Sequence, residues 1–193
     1  MPRPRSASTE QIVAAAIRVI GRMGPSRLTL ADVGAEAGLS AAALVQRFGG
    51  KRELLLAVAR SGAGSVQDQF DEARARFPSS PLNALMDALA GEGGPMQTPE
   101  EVVNHLAFLQ IDLTDPEFHA LALQHARATL EEISALIEEA TAAGELGDCD
   151  PDGVGRTVQN TLNGALVTWA IYREGTLAEW VRGEIEAVLE PYR

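Results

Sequence analysis

The residues from Leu28 to Leu55, LTLADVGAEAGLSAAALVQRFGGKRELL, decide the fold of this chain. They predict two short helices joined by a tight turn, followed at once by a third helix. Thr29 is placed to cap the first helix and Ser40 to cap the second, because a hydroxyl at the N-cap accepts a hydrogen bond from a nearby backbone amide. Gly38 supplies the left-handed residue that ends the first helix. This pattern is typical of the helix-turn-helix, whose second helix enters the major groove of DNA.

Charge is distributed unevenly along the chain. Residues 1–52 carry eight basic side chains and three acidic ones, a net charge of +5; since the whole chain carries −11, residues 53–193 carry −16. A basic head on an acidic body fits a protein that touches DNA phosphates with one end only, because like charges keep the body away from the duplex. The basic residues of the head are Arg3, Arg5, Arg18, Arg22, Arg27, Arg47, Lys51 and Arg52.

The composition favours a cytoplasmic protein that does not enter a membrane. The chain has 193 residues, enough for one large domain or two small ones. Its single cysteine, Cys149, permits no internal disulfide and fits a reducing compartment. Glu10 and Arg18 interrupt the apolar residues near the N-terminus, which argues against a signal peptide. The uncharged run 157–172 is too short and too polar for a bilayer, which needs about 20 apolar residues.

The rest of the sequence predicts helices and no strand. Apolar residues recur at spacings of three and four, and no segment alternates with period two. We therefore expect an all-α fold of about nine helices, with a three-helix head at the N-terminus. The segment 99–113 is apolar nearly all round, so this helix is predicted to be central. The predicted helices are 9–23, 30–37, 41–48, 51–77, 81–90, 99–113, 116–143, 151–173 and 177–189.

The spacing of the residues in the helix-turn-helix resembles the TetR (tetracycline-repressor-type) family of transcription regulators. The resemblance covers about 45 residues, and beyond them the chain matches only in the number and order of helices. It implies a DNA-binding head at 1–52 and a ligand-binding and dimerising body at 53–193. It also implies a homodimer, without cofactor, that a small molecule releases from its operator. The matching residues are Leu28, Thr29, Leu30, Val33, Ala37, Gly38, Leu39, Ser40, Leu44, Phe48, Lys51, Leu54 and Leu55.

The same resemblance places the DNA contacts on and beside the second helix of the motif. Two positions depart from the family pattern. Val45 stands where the family usually has a tyrosine that bonds a phosphate, and Gly34 replaces a usual alanine, which is expected to cost about 1 kcal/mol of helix propensity. The predicted contacts are Thr29, Ser40, Ala41, Ala42, Ala43, Val45, Gln46, Arg47 and Lys51.

The recognition helix, 41–48, offers few hydrogen-bonding groups. Its three alanines provide only methyl contact, which suits the thymine methyl. Gln46 matches adenine and Arg47 matches guanine or phosphate, while Lys51 is an expected phosphate anchor. The alternative for Arg47 is an exposed solubilising role, and for Arg3 and Arg5 an arm without DNA contact. Phosphate contact and methyl contact are therefore expected to dominate recognition.

The last two predicted helices carry apolar stripes that favour a dimer built as a four-helix bundle about a two-fold axis. The alternative is that these stripes pack only within their own subunit. A two-fold dimer implies a palindromic operator, because its two recognition helices stand about 34–36 Å apart. The predicted interface residues are Leu162, Leu166, Trp169, Trp180, Ile185 and Val188.

A sensor pocket is expected among the helices of the body, lined by polar groups set among apolar neighbours. The alternative for each such group is a satisfied core or surface residue. The small number of aromatic residues favours an aliphatic cavity and a hydrophobic or amphipathic effector. Its binding would shift the population between DNA-competent and incompetent dimers through the helix that begins at Lys51. The candidates are Asn104, His105, Gln110, His119, His125, Asn160 and Asn163.

An enzyme is disfavoured by the sequence. His119 and His125 are six residues apart, so they do not share a helix face as metal-binding pairs do, and no catalytic motif is present. We therefore expect no catalytic residue and no metal site. Cys149 lies between Asp148 and Asp150, which argues against redox sensing because reactive cysteines lie in electropositive surroundings. The remaining alternative is a dimeric helical protein of the same fold that has lost specific DNA binding.

Overall fold

Residues 7–91 and 96–193 are described by a computed structural model. Within these ranges every regular element is a helix, as the sequence predicts. Arg3, Arg5 and residues 92–95 of the predicted loop lie outside them. The helices are α1 (Thr9–Arg27), α2 (Leu30–Ala37), α3 (Ala41–Phe48), α4 (Lys51–Gly64), α5 (Val66–Arg76), α6 (Pro81–Ala90), α7 (Pro99–Thr114), α8 (Pro116–Ala142), α9 (Pro151–Tyr172) and α10 (Leu177–Leu189), followed by a 3-10 turn at Glu190–Tyr192.

The predicted caps are present at the helix ends of the motif. Thr29 caps α2 and accepts from the Asp32 amide, and Ser40 caps α3 and accepts from the Ala43 amide. Gly38 ends α2 with φ +69°, which is why this position favours glycine. These local signals define the two short helices independently of packing.

One predicted helix is two helices in the structure. The segment 51–77 is divided into α4 and α5 at Ser65, which lies between them with φ −96° and ψ −2°. Gly62 and Gly64 precede this break, and glycine weakens a helix by up to about 1 kcal/mol relative to alanine. The apolar spacing of three and four continues across the break, so periodicity alone could not locate it.

The chain packs as two compact units. The first, which we call the head unit, extends to residue 62 and also includes residues 100–122; the second, the body unit, comprises 63–99 and 123–193. The predicted functional boundary after residue 52 stays a prediction. The core of the head unit is formed by Ile12, Ala15, Ala16, Val19, Leu28, Val33, Leu44, Leu54, Leu56 and Phe118. That of the body unit includes Phe70, Leu85, Ile133, Leu136, Ile137, Val158 and Ile185.

The prediction that the helix at 99–113 is central is wrong. Within α7 Val102 is buried, whereas Val103, Leu109 and Leu113 are 50%, 47% and 66% exposed. Phe108 and Ile111 pack against the core of the head unit. The helix therefore uses one face in packing and leaves apolar side chains exposed on another.

In the described ranges, none of the helices combines the length and the apolar character that a membrane span requires.

Candidate nucleic-acid interface

The turn between α2 and α3 is tight because glycine stands where the two helices meet. Gly34 is buried in α2, and a Cβ added to it would lie 2.8 Å from the Leu39 carbonyl oxygen. Its own carbonyl accepts a hydrogen bond from the Leu39 amide at 2.8 Å. The missing side chain is what allows the turn to approach this closely, and it is the structural reason for accepting the lower helix propensity of Gly34.

The recognition helix α3 has a buried face and an outward face. Leu44 is fully buried and Phe48 packs on the same core. At about 100° per residue, Ala42 and Gln46 lie about 160° from Leu44, on opposite sides of the outward direction. Both are exposed, and Val45 beside them is 49% exposed. Of the three alanines predicted to make methyl contacts, only Ala42 therefore shares the outward face with Gln46, the predicted adenine reader.

The hydroxyls of Thr29 and Ser40, which cap α2 and α3, differ in whether their proton is still available for a hydrogen bond to DNA. The Thr29 hydroxyl accepts from the Asp32 amide and donates to the Asp32 carboxylate. This donation, together with that of the Thr29 backbone amide to the same carboxylate, holds the pKa of the carboxyl below its ordinary value. The Ser40 oxygen accepts from the Ala43 amide at 3.2 Å, and its proton has no fixed acceptor among the described residues. Of the two predicted contacts, Ser40 is the one that can donate to a phosphate.

Two arginines of α1 are paired within the head unit. Arg18 and Arg22 donate to the two oxygens of Glu36 on α2 at 2.7 and 2.8 Å. These bonds lower the pKa of Glu36 below its ordinary value, so the carboxylate is charged at neutral pH. The two ion pairs that share Glu36 hold α1 against α2.

Lys51 and Arg47, the two predicted anchors of the sequence analysis, also have partners. The Lys51 ammonium donates to the Ser26 carbonyl at 2.7 Å, which leaves two of its three protons for another acceptor. The Arg47 guanidinium donates to the Ala7 carbonyl at 2.6 Å and to the Thr9 hydroxyl at 2.7 Å. Their contact with DNA stays a prediction.

Sequence reasoning missed an ion-pair network that joins α4 to the start of α8. Arg52 donates to Asp115 at 2.9 Å and to Glu117 at 3.1 Å, and Arg60 donates to Glu117 at 2.7 Å. The Arg52 guanidinium also lies 5.6 Å from the centre of the Phe118 ring. Hydrogen bonding to Arg52 lowers the pKa of Asp115. The acidic start of α8 was visible in the sequence, but nothing in its spacing indicated Arg52 as the partner.

The predicted effector residues are divided between the head unit and the body unit. Asn104 is half-buried and donates to the Gly21 carbonyl at 2.7 Å, within the head unit. The other six side chains are exposed, on α7, α8 and α9: His105, Gln110, His119, His125, Asn160 and Asn163. Their role in binding a ligand stays a prediction.

A titratable group that the sequence analysis did not single out lies on α7. Asp112 is half-buried in this otherwise apolar stretch, and burial raises the pKa of its carboxyl to about 6. A raised pKa means that the folded state binds the proton more tightly than the unfolded state does. The charged Asp112 carboxylate therefore lowers the free energy of unfolding above pH 6, and this loss becomes smaller as the pH falls below 6.

We expect Asp112→Asn to increase the free energy of unfolding by roughly 1 kcal/mol at pH 7.5, discounting the shift because the carboxyl is partly solvated. The gain should be smaller at pH 5, where the folded wild type is already mostly protonated. Urea unfolding at the two pH values measures this difference. A gain that does not depend on pH would mean that the effect is not due to titration of Asp112.

The predicted dimer residues belong largely to the core of their own unit. Trp169 is 3% exposed and Ile185 fully buried, so for these two the alternative of packing within one subunit holds. Leu162, Trp180 and Val188 pack partly against the same core, and Leu166 is half-buried. The exposed apolar side chains of α9 are instead Val167, Ile171 and Tyr172, at 42%, 70% and 62%.

A capped helix-turn-helix, in a chain whose described elements are all helices, is typical of the class of helix-turn-helix transcription regulators. Residues 12–58 match the family described as bacterial regulatory proteins, tetR family. It is 29% identical over 150 residues to the HTH-type transcriptional regulator BetI of Agrobacterium fabrum, covering 77% of this chain and 68% of that one.

Solved structures have the same fold at lower identity. A TetR transcription regulator from Haloarcula marismortui aligns with a TM-score of 0.78 at 21% identity, over 95% of this chain and 97% of that one. A protein from Saccharomonospora viridis in complex with choline aligns with a TM-score of 0.74 at 20% identity, over 94% and 95%. SmeT, the repressor of the Stenotrophomonas maltophilia multidrug efflux pump SmeDEF, aligns with a TM-score of 0.67 at 20% identity, over 98% and 92%.

Proposed function

We propose that this protein is a repressor that binds a palindromic operator as a homodimer and leaves it when a small hydrophobic or amphipathic effector binds. The observation that carries the proposal is the outward face of α3, where Ala42, Val45 and Gln46 are exposed while Leu44 holds the helix to the core. Occupation of an operator that overlaps a promoter would exclude the polymerase. A cytoplasmic location follows from this function.

The proposed contacts follow from the chemistry of that face. Gln46 is placed to bond the edge of an adenine, and the methyls of Ala42 and Val45 suit thymine methyl groups. Ser40 and Lys51 flank the helix and have protons left for phosphate oxygens. Ala41 and Ala43 are half-buried on the sides of α3 and would allow close approach to the groove.

The proposal is tested by selecting duplexes from a random pool with the purified protein and measuring their affinity by fluorescence anisotropy across a salt series. We expect an enriched palindrome, and an affinity that falls steeply with salt because phosphate contacts release counterions. Equal affinity for selected and scrambled duplexes would instead support the alternative of a TetR-fold protein without specific DNA binding.

The homodimer is proposed to form through the exposed face of α9. Gly164, Val167 and Ile171 lie at spacings of three and four and therefore share this face. A Cβ added to Gly164 would meet open space, so nothing within the subunit requires glycine there. Close approach of a second copy of α9 gives this glycine a physical reason, since small residues let two helices pack closely.

We expect Ile171→Glu to convert the dimer into monomers, because a carboxylate would be buried without a partner at the centre of the interface. Leu123→Glu is the matched control: Leu123 is exposed on α8 in the same unit, and its replacement should leave the dimer intact. Sedimentation equilibrium at micromolar concentration distinguishes these states. A monomeric wild type, or a dimeric Ile171→Glu variant, would contradict the proposed interface.

The proposed effector class rests on Leu109 and Leu113, which α7 exposes, and on the half-buried Asp112 beside them. An apolar surface with one carboxylate suits an amphipathic compound, and one with a positive charge would also pair with Asp112. A thermal-shift panel of fatty acids, aliphatic amines and choline tests this. Compounds that stabilise the protein but leave its operator affinity unchanged would contradict the coupling between effector and DNA.

A further inference from the structure

The side chain of Arg47 is directed along the head unit rather than outward from α3. At about 100° per residue Arg47 lies only about 60° from the buried Leu44, whereas Gln46 lies about 160° from it. Both terminal nitrogens of the guanidinium are bonded, Nη1 to the Ala7 carbonyl and Nη2 to the Thr9 hydroxyl, at 2.6 and 2.7 Å. A planar fork that meets two acceptors at once holds its side chain in one geometry.

The Ala7 carbonyl and the Thr9 hydroxyl, which accept from Arg47, take no part in capping α1. Ser8, not Thr9, caps α1: its hydroxyl accepts from the Gln11 amide, and the Gln11 side chain accepts from the Ser8 amide. The Thr9 hydroxyl is therefore not needed by the capping box. Ala7 is half-buried and packs on the core of the head unit, so its carbonyl is a fixed point.

We propose that Arg47 is a positioning residue, which clamps the last turn of the recognition helix to the first turn of α1, and does not itself contact DNA. The inference rests on the proposed DNA-binding function. Leu44 and Phe48 hold α3 to the core through apolar contacts, which leave rotation about the helix axis weakly determined. The two directional bonds of Arg47 fix that rotation, and so fix the direction in which Gln46 and Ala42 face the groove.

The two roles of Arg47 predict opposite results for a change at Thr9. If Arg47 binds a phosphate, Thr9→Val frees its guanidinium and leaves operator affinity equal or higher. If Arg47 is a clamp, Thr9→Val weakens operator binding, because the isosteric valine removes the acceptor without changing any charge. Thr9→Ser keeps the hydroxyl and is the matched control.

Operator affinity is measured by anisotropy on the duplex that the wild type selects from a random pool, with circular dichroism to verify folding. We expect the Kd to rise roughly ten-fold for Arg47→Ala and roughly three-fold for Thr9→Val. It should be unchanged for Thr9→Ser, and the double variant should be no weaker than Arg47→Ala. Arg47→Lys should not rescue binding, because a single ammonium cannot replace the fork.

Three results would overturn the inference. The first is wild-type affinity in Thr9→Val. The second is full rescue by Arg47→Lys. The third is a salt dependence in Arg47→Ala whose slope is smaller than that of the wild type by about 0.9 for each phosphate that Arg47 neutralises, as direct binding to the backbone requires. If the wild type selects no operator, the proposed function fails together with the inference; specific binding by the wild type with an unaffected Thr9→Val variant removes the inference alone.

Discussion

Replacing Ala42 with glutamate is expected to lower operator affinity by about 100-fold or more while leaving the fold intact. Ala42 is exposed at the centre of the outward face of α3, so the change removes no packing within the subunit. A carboxylate there would enter a groove lined by phosphates and base acceptors, and like charges brought together cost several kcal/mol. About 2.8 kcal/mol corresponds to a 100-fold change, and a dimer would carry the substitution twice.

The matched control is Ala14→Glu, which adds the same charge to the same unit at an exposed position of α1. Its effect is limited to long-range repulsion, which is screened over a Debye length of about 8 Å at physiological ionic strength. We therefore expect at most a few-fold loss of affinity. Anisotropy on the selected operator compares the two variants at equal salt. Equal losses would mean that α3 is not the reading helix.

Local signals made the head predictable from its sequence. Thr29 and Ser40 act as caps and Gly38 as the left-handed end of α2 because each depends on atoms within a few residues of itself. The bounds of α3, 41–48, were predicted for the same reason. The resemblance to the TetR family followed from several such residues at fixed spacing, and the family match covers the same segment, residues 12–58.

Contacts between distant segments were not predictable in the same way. Arg47 bonds residues 38 and 40 positions away, and Arg52 bonds Asp115 across 63. No periodicity relates such positions, so exposed basic residues near a DNA-binding motif all appear equally suited to phosphates. Structure separates those with partners inside the head unit from those that face outward.

Apolar stripes on helices were similarly ambiguous. Trp169 on α9 and Ile185 on α10 each belong to a stripe of apolar residues at helical spacing, which is also the pattern of interface residues. Both side chains are nevertheless buried within the body unit. Ile171 belongs to no such stripe in the sequence analysis and is 70% exposed. Spacing identifies residues that share a face, but it does not say whether that face meets its own subunit or a partner.

A second large effect, on both stability and operator binding, is expected when Gly34 is replaced by a residue with a side chain. A Cβ at this position would lie 2.8 Å from the Leu39 carbonyl oxygen and 3.4 Å from the Ala41 amide nitrogen, both of them backbone atoms of the turn. Backbone atoms cannot rotate away as the end of a flexible side chain can. Gly34→Val must therefore displace the turn and α3, and overpacking of this kind costs about 1–3 kcal/mol. We expect a loss near the upper end of this range, together with loss of operator binding.

Gly62→Ala also replaces a glycine within a helix, but this change is expected to raise the free energy of unfolding rather than lower it. Gly62 also lies within a helix of the head unit, but a Cβ there meets open space. Its replacement should stabilise the protein by about 0.5–1 kcal/mol, because alanine has the higher helix propensity. Gly34→Ala should be intermediate, since the gain in propensity offsets part of the steric cost. Urea unfolding of the three variants ranks them, and a Gly34→Ala variant as stable as Gly62→Ala would show that the close approach of α2 to the turn does not restrict residue 34.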